Sequence, residues 1–440
     1  MKQSNKLKLR SSFNPLATMI CFVAITGSLL YFTTDSIGQS LTFPYESPET
    51  LIASDVLPED LQFGENYQVR GKTATTADTK THGFTHSFDI ISPFGRFEAH
   101  SQAMVQKMAH EIKTIRILSE IKKTKSFFVA LENAGRSSYR GVNDLILHAP
   151  DTVTGLPEGG WRFLSHSGEL TTGDGENQEK ELNAMLEGFG KLKRQYAYQL
   201  GVDPYSTNRV LQRELNSISW AGFAGKAGVS LVTDPLKDTA GMMIVRTPFF
   251  ENLETIVRDN TPEDLQHINR EKLKEMGADD SVIETFLNHP EYSPTCKTII
   301  VHALAEMNGV KNRDQFIKQA ILAQHEENTF IQQRNAEMMM SYHKNIKPFL
   351  ELIPVQRSVV GHTADQTIVA TYSLDHVYWT ELTDLFVSEV LALLKSPDYP
   401  AKQFILRISG KFSDRARMVL SDKGIILEEN MSEKYETVSL

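Results

Sequence analysis

His302 and Glu306 stand four residues apart, a spacing that sets two side chains on one face of a helix. They could supply two ligands to a metal ion or form a plain surface pair, and the surface pair is the preferred reading. His325-Glu326-Glu327 begins like a zinc-peptidase helix, but Thr329 stands where the second histidine would have to be. His343, further along the same helical stretch, is roughly 27 Å from His325 along a helix axis, so the two cannot share an ion. His289 precedes Pro290 and reads as a cationic helix stop in preference to an acid/base group. A hydrolytic site gathered from separate helices would draw on His289, Tyr292, His302 and His325. No metal site and no cofactor are expected.

Other chemistries lack a required part. The run Gly222-Phe223-Ala224-Gly225-Lys226-Ala227-Gly228 invites comparison with a phosphate-binding loop, but Trp220 occupies the place of the first glycine and Ala227 replaces the hydroxyl residue that would meet magnesium. Its alternating glycines and alanines read instead as a tight helix-to-helix contact or a turn. It is too short to span a bilayer, which leaves membrane insertion as a distant third reading. Asp174 to Glu181 lacks the ordered carboxylates of an EF-hand loop and reads as a solvated loop. No Gly-x-Ser-x-Gly elbow occurs. Cys296, just inside a helix start, could be a reactive thiol because a helix N-terminus lowers a thiol's pKa; a small buried residue is the preferred reading.

The elements that would position these groups are legible from period and punctuation. Phe84, His86, Phe88 and Ile90 alternate with polar residues, and with Gly95 to Ala99 they predict a β-hairpin. A helical stripe of Met104, Met108, Ile112, Ile115 and Leu118 starts after Ser101 and ends near Lys125. Glu179 to Leu200 is helical and stops at Gly201. Thr261 with Pro262 and Asp264 starts a helix that Gly277 ends; Ser293 with Pro294 starts another that Gly309 closes. Asn312 precedes one long helical stretch to about Asn345, whose Met338 to Met340 fill core space. After Pro354 the period changes: Arg357 to Val360 and Thr367 to Thr371 form a hairpin, followed by a helix over Glu381 to Lys395, a strand over Gln403 to Ser409, a helix over Ser413 to Asp422 and a strand over Ile425 to Glu428. The expected class is α+β, predominantly α-helical: a helical body over 82–350 with its leading hairpin, a small ββαβαβ module over 355–430, and a tail over 431–440.

The amino terminus carries a different message. Lys2, Lys6, Lys8 and Arg10 precede an uncharged stretch from Ser11 to Thr34, so residues 1–40 read as a signal peptide or a single-pass anchor through 15–34, with everything beyond on the far side of the membrane. Residues 41–81 are an extended arm. Removing 1–40 takes away Lys2, Lys6, Lys8, Arg10 and Asp35, leaving 42 basic against 54 acidic side chains, a balance that disfavours nucleic acid and anionic lipid. The clusters Lys122, Lys123, Lys125 and Lys191, Lys193, Arg194 read as solvated helix faces. Cys296 alone lies beyond the leader, so no intrachain disulfide can form once the leader is gone.

Five stretches together resemble a family of exported or membrane-anchored bacterial proteins with no assigned activity. They are Ser92-Pro93-Phe94-Gly95-Arg96-Phe97-Glu98-Ala99, Asp151-Thr152-Val153-Thr154-Gly155-Leu156-Pro157-Glu158-Gly159-Gly160, Leu200-Gly201-Val202-Asp203-Pro204-Tyr205-Ser206-Thr207-Asn208, His289-Pro290-Glu291-Tyr292-Ser293-Pro294 and Gly410-Lys411-Phe412-Ser413-Asp414-Arg415-Ala416-Arg417. The resemblance implies a bacterial envelope protein on the periplasmic side and no residue roles. With the leader, it leads us to expect a non-enzymatic component that binds a protein partner, the alternative being an extracytoplasmic hydrolase.

Overall fold

The structure is a computed structural model that describes residues 44–46, 68–72, 84–135, 176–224 and 248–431. The leader, most of the arm, the Asp151 to Gly160 stretch, positions 225–228 of the Gly/Ala run and the tail beyond Met431 lie outside them. No described helix is long and apolar enough to cross a membrane. The class is α+β, with twelve helices and two principal sheets among the described residues.

The expected hairpin is present as β2 (Ser87–Ser92) and β3 (Gly95–Ala99), and β1 (Gln68–Lys72), from within the arm, pairs antiparallel with β2. The alternation of β2 and β3 turns Phe88, Ile90, Phe97 and Ala99 onto α1 (Gln102–Ile121). Ser101 caps α1 by accepting the Met104 N–H at 3.0 Å. The stripe read from the sequence is the buried one: Ile112, Ile115 and Leu118 are enclosed, each contributing about 1.5–3 kcal/mol. This helix ends at Ile121, short of Lys125, because Thr124 starts α2 (Lys125–Gly135): its hydroxyl accepts the Phe127 N–H. Tyr196 and Leu200 from α3 (Glu176–Leu200) and Leu211, Leu215 and Ile218 from α4 (Arg209–Ala224) complete this first core. Helix α3 begins at Glu176, so most of the expected acidic loop over Asp174 to Glu181 is helix. Of the two cationic clusters, Lys193 and Arg194 are not solvated: Lys193 Nζ donates to Gln212 Oε1 at 2.6 Å and Arg194 Nε to the Arg258 carbonyl at 3.0 Å, both side chains buried.

Gly222 shows why α4 carries a glycine at that position. A Cβ there would lie 2.5 Å from the Tyr196 hydroxyl of α3, so the described part of the Gly/Ala run is the tight helix contact.

The second core is built by α5 (Pro248–Asp259), α6 (Pro262–Glu275), α7 (Asp280–Leu287), α8 (Pro294–Glu306), α9 (Asp314–Ala320) and α10 (Glu326–Asn345). Thr261 and Asp264 form a reciprocal capping box, Ser293 caps α8, and Gly277 and Gly309 take positive φ after α6 and α8. The expected single stretch from Asn312 to Asn345 is broken at 321–325. The Ala320 carbonyl, which a continuing helix would use, instead accepts the Tyr292 hydroxyl at 2.8 Å and the Ala323 N–H at 3.1 Å. Met338 to Met340 are buried.

The carboxy-terminal sheet is β4 (Phe349–Val355), β5 (Ser358–Thr363), β6 (Thr367–Tyr372), β8 (Gln403–Ile408) and β10 (Ile426–Glu428), in the order β10-β8-β6-β5-β4. Strands β4, β5 and β6 are antiparallel, and β6, β8 and β10 are parallel. It has one strand more than the expected ββαβαβ order, because β4 runs through Pro354 and across the boundary read at 350–355. A proline is tolerated there because β4 is an edge strand. Helices α11 (Glu381–Leu393) and α12 (Asp414–Asp422) supply the two crossovers, and a small parallel pair, β7 (His376–Val377) with β9 (Lys411–Phe412), sits beside their starts. Tyr372 and Phe404 pack on Phe386 of α11, whereas Val369 and Ile405 enter the second core with α8 and α10.

Candidate functional site

The cleft forms where two of the quoted stretches meet. Helix α3 ends in a left-handed Gly201 (φ 67°), with the Val202 N–H returning to the Ala197 carbonyl at 3.0 Å. The chain then makes a turn fixed by its own side chains: Asp203 Oδ1 accepts the Tyr205 N–H at 2.9 Å. Asn208 Oδ1 starts α4 by accepting the N–H groups of Val210 and Leu211. Turn and cap residues are used here for the reason they are common in such places, namely short polar side chains that satisfy nearby backbone.

That loop is fastened to two helices. Glu111 of α1, almost wholly buried, accepts Ser206 Oγ at 2.7 Å and Asn208 Nδ2 at 2.9 Å. Lys107, one turn earlier on α1, lies 3.8 Å from Glu111 and 5.6 Å from the centre of the Phe330 ring. On the other side, Thr295 Oγ1 in the first turn of α8 donates to Asp203 Oδ1 at 2.6 Å. Between them lies a cleft of about 40 Å³, bordered by Lys107, Asp203, Thr207, Glu291, Thr295 and Phe330 among others, room for a few water molecules.

Its electrostatics follow from enclosure. Burial raises the Asp203 carboxyl, with Lys107, the Thr295 hydroxyl and the Tyr205 N–H pulling the other way. Burial also pushes the Cys296 thiol far up, which disfavours the thiolate that a nucleophile needs. The expectation of a small buried residue holds for Cys296, and the reactive-thiol alternative does not. Below the cleft, Glu337 of α10 accepts Gln333 Nε2 at 3.0 Å and Arg334 Nη1 at 2.5 Å and is raised by burial. Lys193, behind the loop, is lowered to about 8 by burial.

None of the four residues singled out from the sequence is among those bordering this cleft. Tyr292 is fully buried with its hydroxyl on the Ala320 carbonyl. His289 sets its ring edge-on to Tyr292 at 5.1 Å and accepts the Glu291 N–H; burial, then Lys297, lowers its pKa. That direction disfavours the charged form that a cationic stop would need. His302 is buried, with Nε2 reached by no hydrogen-bond partner among the described residues, while Glu306 pairs with Lys344 at 2.6 Å. The expected surface pair is thus not made, because His302 faces inward. His325 is exposed and precedes α10 as an N-cap residue whose side chain makes no cap bond. Among the described residues no group of three His, Cys, Asp or Glu could hold a metal ion.

Lys107, Glu111, Asp203 and Thr295 were not singled out by sequence reasoning. The available signal was the polar turn Asp203 to Asn208 itself, whose Asp, Pro, Ser and Asn mark a loop that must satisfy its own backbone. No protein-family model, curated protein or solved structure matches the chain.

Proposed function

We propose that the chain is a non-enzymatic component of the bacterial cell envelope, exported or held in the inner membrane by its amino-terminal segment, that binds a protein partner. The basic flank and uncharged stretch of residues 1–34 support the location. The binding role rests on one observation: the cleft's polar groups are committed to one another. Thr295 donates to Asp203 and Ser206 to Glu111 in short hydrogen bonds, and the Cys296 thiol is buried. A recess with fixed acceptors, one ammonium and a volume of a few waters suits a single small polar group of a partner.

The test places a photo-crosslinking amino acid at exposed Thr207 in the full chain, expressed in bacteria, with the same substitution at Glu275 as the control. One discrete adduct to a second, identifiable protein from Thr207 and none from Glu275 is expected. A hydrolase is the competing reading, favoured by the raised Asp203 carboxyl 2.6 Å from the Thr295 hydroxyl. Absence of a protein adduct, together with turnover of an ester, amide or glycoside that Asp203→Asn abolishes, would reverse the order.

A further inference from the structure

Tyr45 and Glu46, far from the cleft in sequence, occupy a seat made by the starts of α11 and α12. Glu46 Oε2 accepts the Trp379 N–H at 2.7 Å and the Ser413 hydroxyl at 2.6 Å, and the Glu46 N–H donates to the Trp379 carbonyl at 2.8 Å. Trp379 immediately precedes Thr380, the N-cap of α11, and Ser413 is the N-cap of α12. The carboxylate therefore lies where two helices begin and their dipoles favour negative charge. Ser413 keeps its hydroxyl oriented by accepting the Ala416 N–H at 3.0 Å. The Tyr45 ring centre is 6.2 Å from that of Trp379, and its hydroxyl donates to Asp384 Oδ2 at 3.0 Å. Lys423 lies 5.4 Å from the Trp379 ring and 3.5 Å from Asp384, bracing the aromatic wall.

Each part of this seat matches a feature of a dipeptide: a backbone edge at Trp379, a place for a carboxylate, an aromatic wall and an acceptor for a phenol. We propose that it is a peptide-binding site for a short partner segment carrying an aromatic residue followed by Glu, and that the chain's own Tyr45–Glu46 occupies it as a displaceable strap. The chain itself supplies the occupant, so the partner's chemistry is read from what already fits. The strap is held lightly. It is fixed by only four hydrogen bonds, and Tyr45 is 51% exposed. Its advantage over a free competitor is its covalent attachment, equivalent to an effective concentration of order millimolar. This site uses no residue of the cleft, so its fate is independent of the cleft's.

The test uses the full chain carrying Tyr45→Ala with Glu46→Ala, titrated by calorimetry with a synthetic peptide of the sequence Leu41–Thr50. Saturable binding is expected, at least tenfold tighter than to the unsubstituted chain, whose strap competes. A peptide with alanine at the Tyr and Glu positions should bind neither. Glu46→Gln, which keeps Tyr45 and the backbone bond, should give intermediate affinity and serves where the double variant does not fold. Failure of the peptide to bind either variant, or equal binding to the unsubstituted chain, would overturn the proposal whatever the crosslinking at Thr207 shows.

Discussion

At the scale of single residues, burial decides what the ionisable groups can do. His302 is the clearest case, enclosed in α8 with its pKa lowered to about 4, first by desolvation and then by Lys272. A base whose folded pKa is depressed adds stability that is fully present above its unfolded value near 6.5 and is lost as the pH falls through about 4. Replacing it with Gln removes that dependence. Denaturant unfolding of the two proteins at pH 7 and pH 4 should show the native chain losing about 3 kcal/mol more on acidification than His302→Gln. His86, also lowered to about 4, and Asp375, raised to about 7 by burial, act on both proteins alike, so the difference isolates His302. An unchanged difference would mean that the ring is hydrated and titrates normally. The sequence showed His302 and Glu306 at helical spacing but not which way the helix faced. A helix buried on most sides, as Pro294 to Leu304 are, gives no polar face to read.

At the scale of elements, starts and stops were legible and contacts were not. Thr261 and Ser293 cap the helices they were expected to start, Ser413 caps the helix expected from its position, and Gly201 and Gly277 take the left-handed conformation after theirs, because capping chemistry is local. The break at 321–325 depends on a partner distant in sequence, Tyr292, whereas β4 pairs with the next strand, β5, through a tight turn and was hidden by Pro354. The loop at Asp203 behaves likewise: its turn was visible in its residue types, but its attachment to Glu111 and Thr295 was not. The Gly/Ala run is the exception, a tertiary contact announced by composition. Gly222→Ala would bring a methyl group to 2.5 Å from the Tyr196 hydroxyl and force α3 and α4 apart. A loss of about 1–3 kcal/mol is expected from denaturant unfolding. The same substitution at Gly277, where a Cβ meets nothing but φ is +81°, separates backbone strain from crowding: Gly222→Ala should be relieved by Tyr196→Phe and Gly277→Ala should not.

At the scale of the whole molecule, the two cores are joined by polar clasps as well as by apolar contacts such as Tyr205 with Val257 and Leu265. Asp375, before β7, accepts the His86 N–H at 2.8 Å and the Gln102 N–H at 3.1 Å, tying the start of the first core to the carboxy-terminal sheet. Gly410 permits this, since a Cβ there would lie 1.9 Å from the Asp375 carbonyl oxygen. The Asp203–Thr295 bond is a second clasp, between the α3–α4 loop and α8. The second core draws Leu352, Val359, Val369 and Ile405 from the sheet into the same cluster as Ile300, Leu304 and Met339, so the sheet has no apolar core separate from those helices on that face. The described residues from Tyr45 onward accordingly fall in one compact unit, so a single unfolding event is expected. Two tryptophans report on its two halves: Trp220 of α4, packed against Phe189 and Phe223, and Trp379 at the start of α11. With Trp161→Phe in the background, variants keeping only Trp220 or only Trp379 should give denaturation midpoints that coincide once each variant's own stability change, measured by circular dichroism, is subtracted. Weakening the clasps is the sharper half of the experiment. If Asp375 and Thr295 join the two cores, Asp375→Ala with Thr295→Val should split the two midpoints, the Trp220 half and the Trp379 half then melting apart; midpoints that stay together would mean that apolar contacts alone couple them.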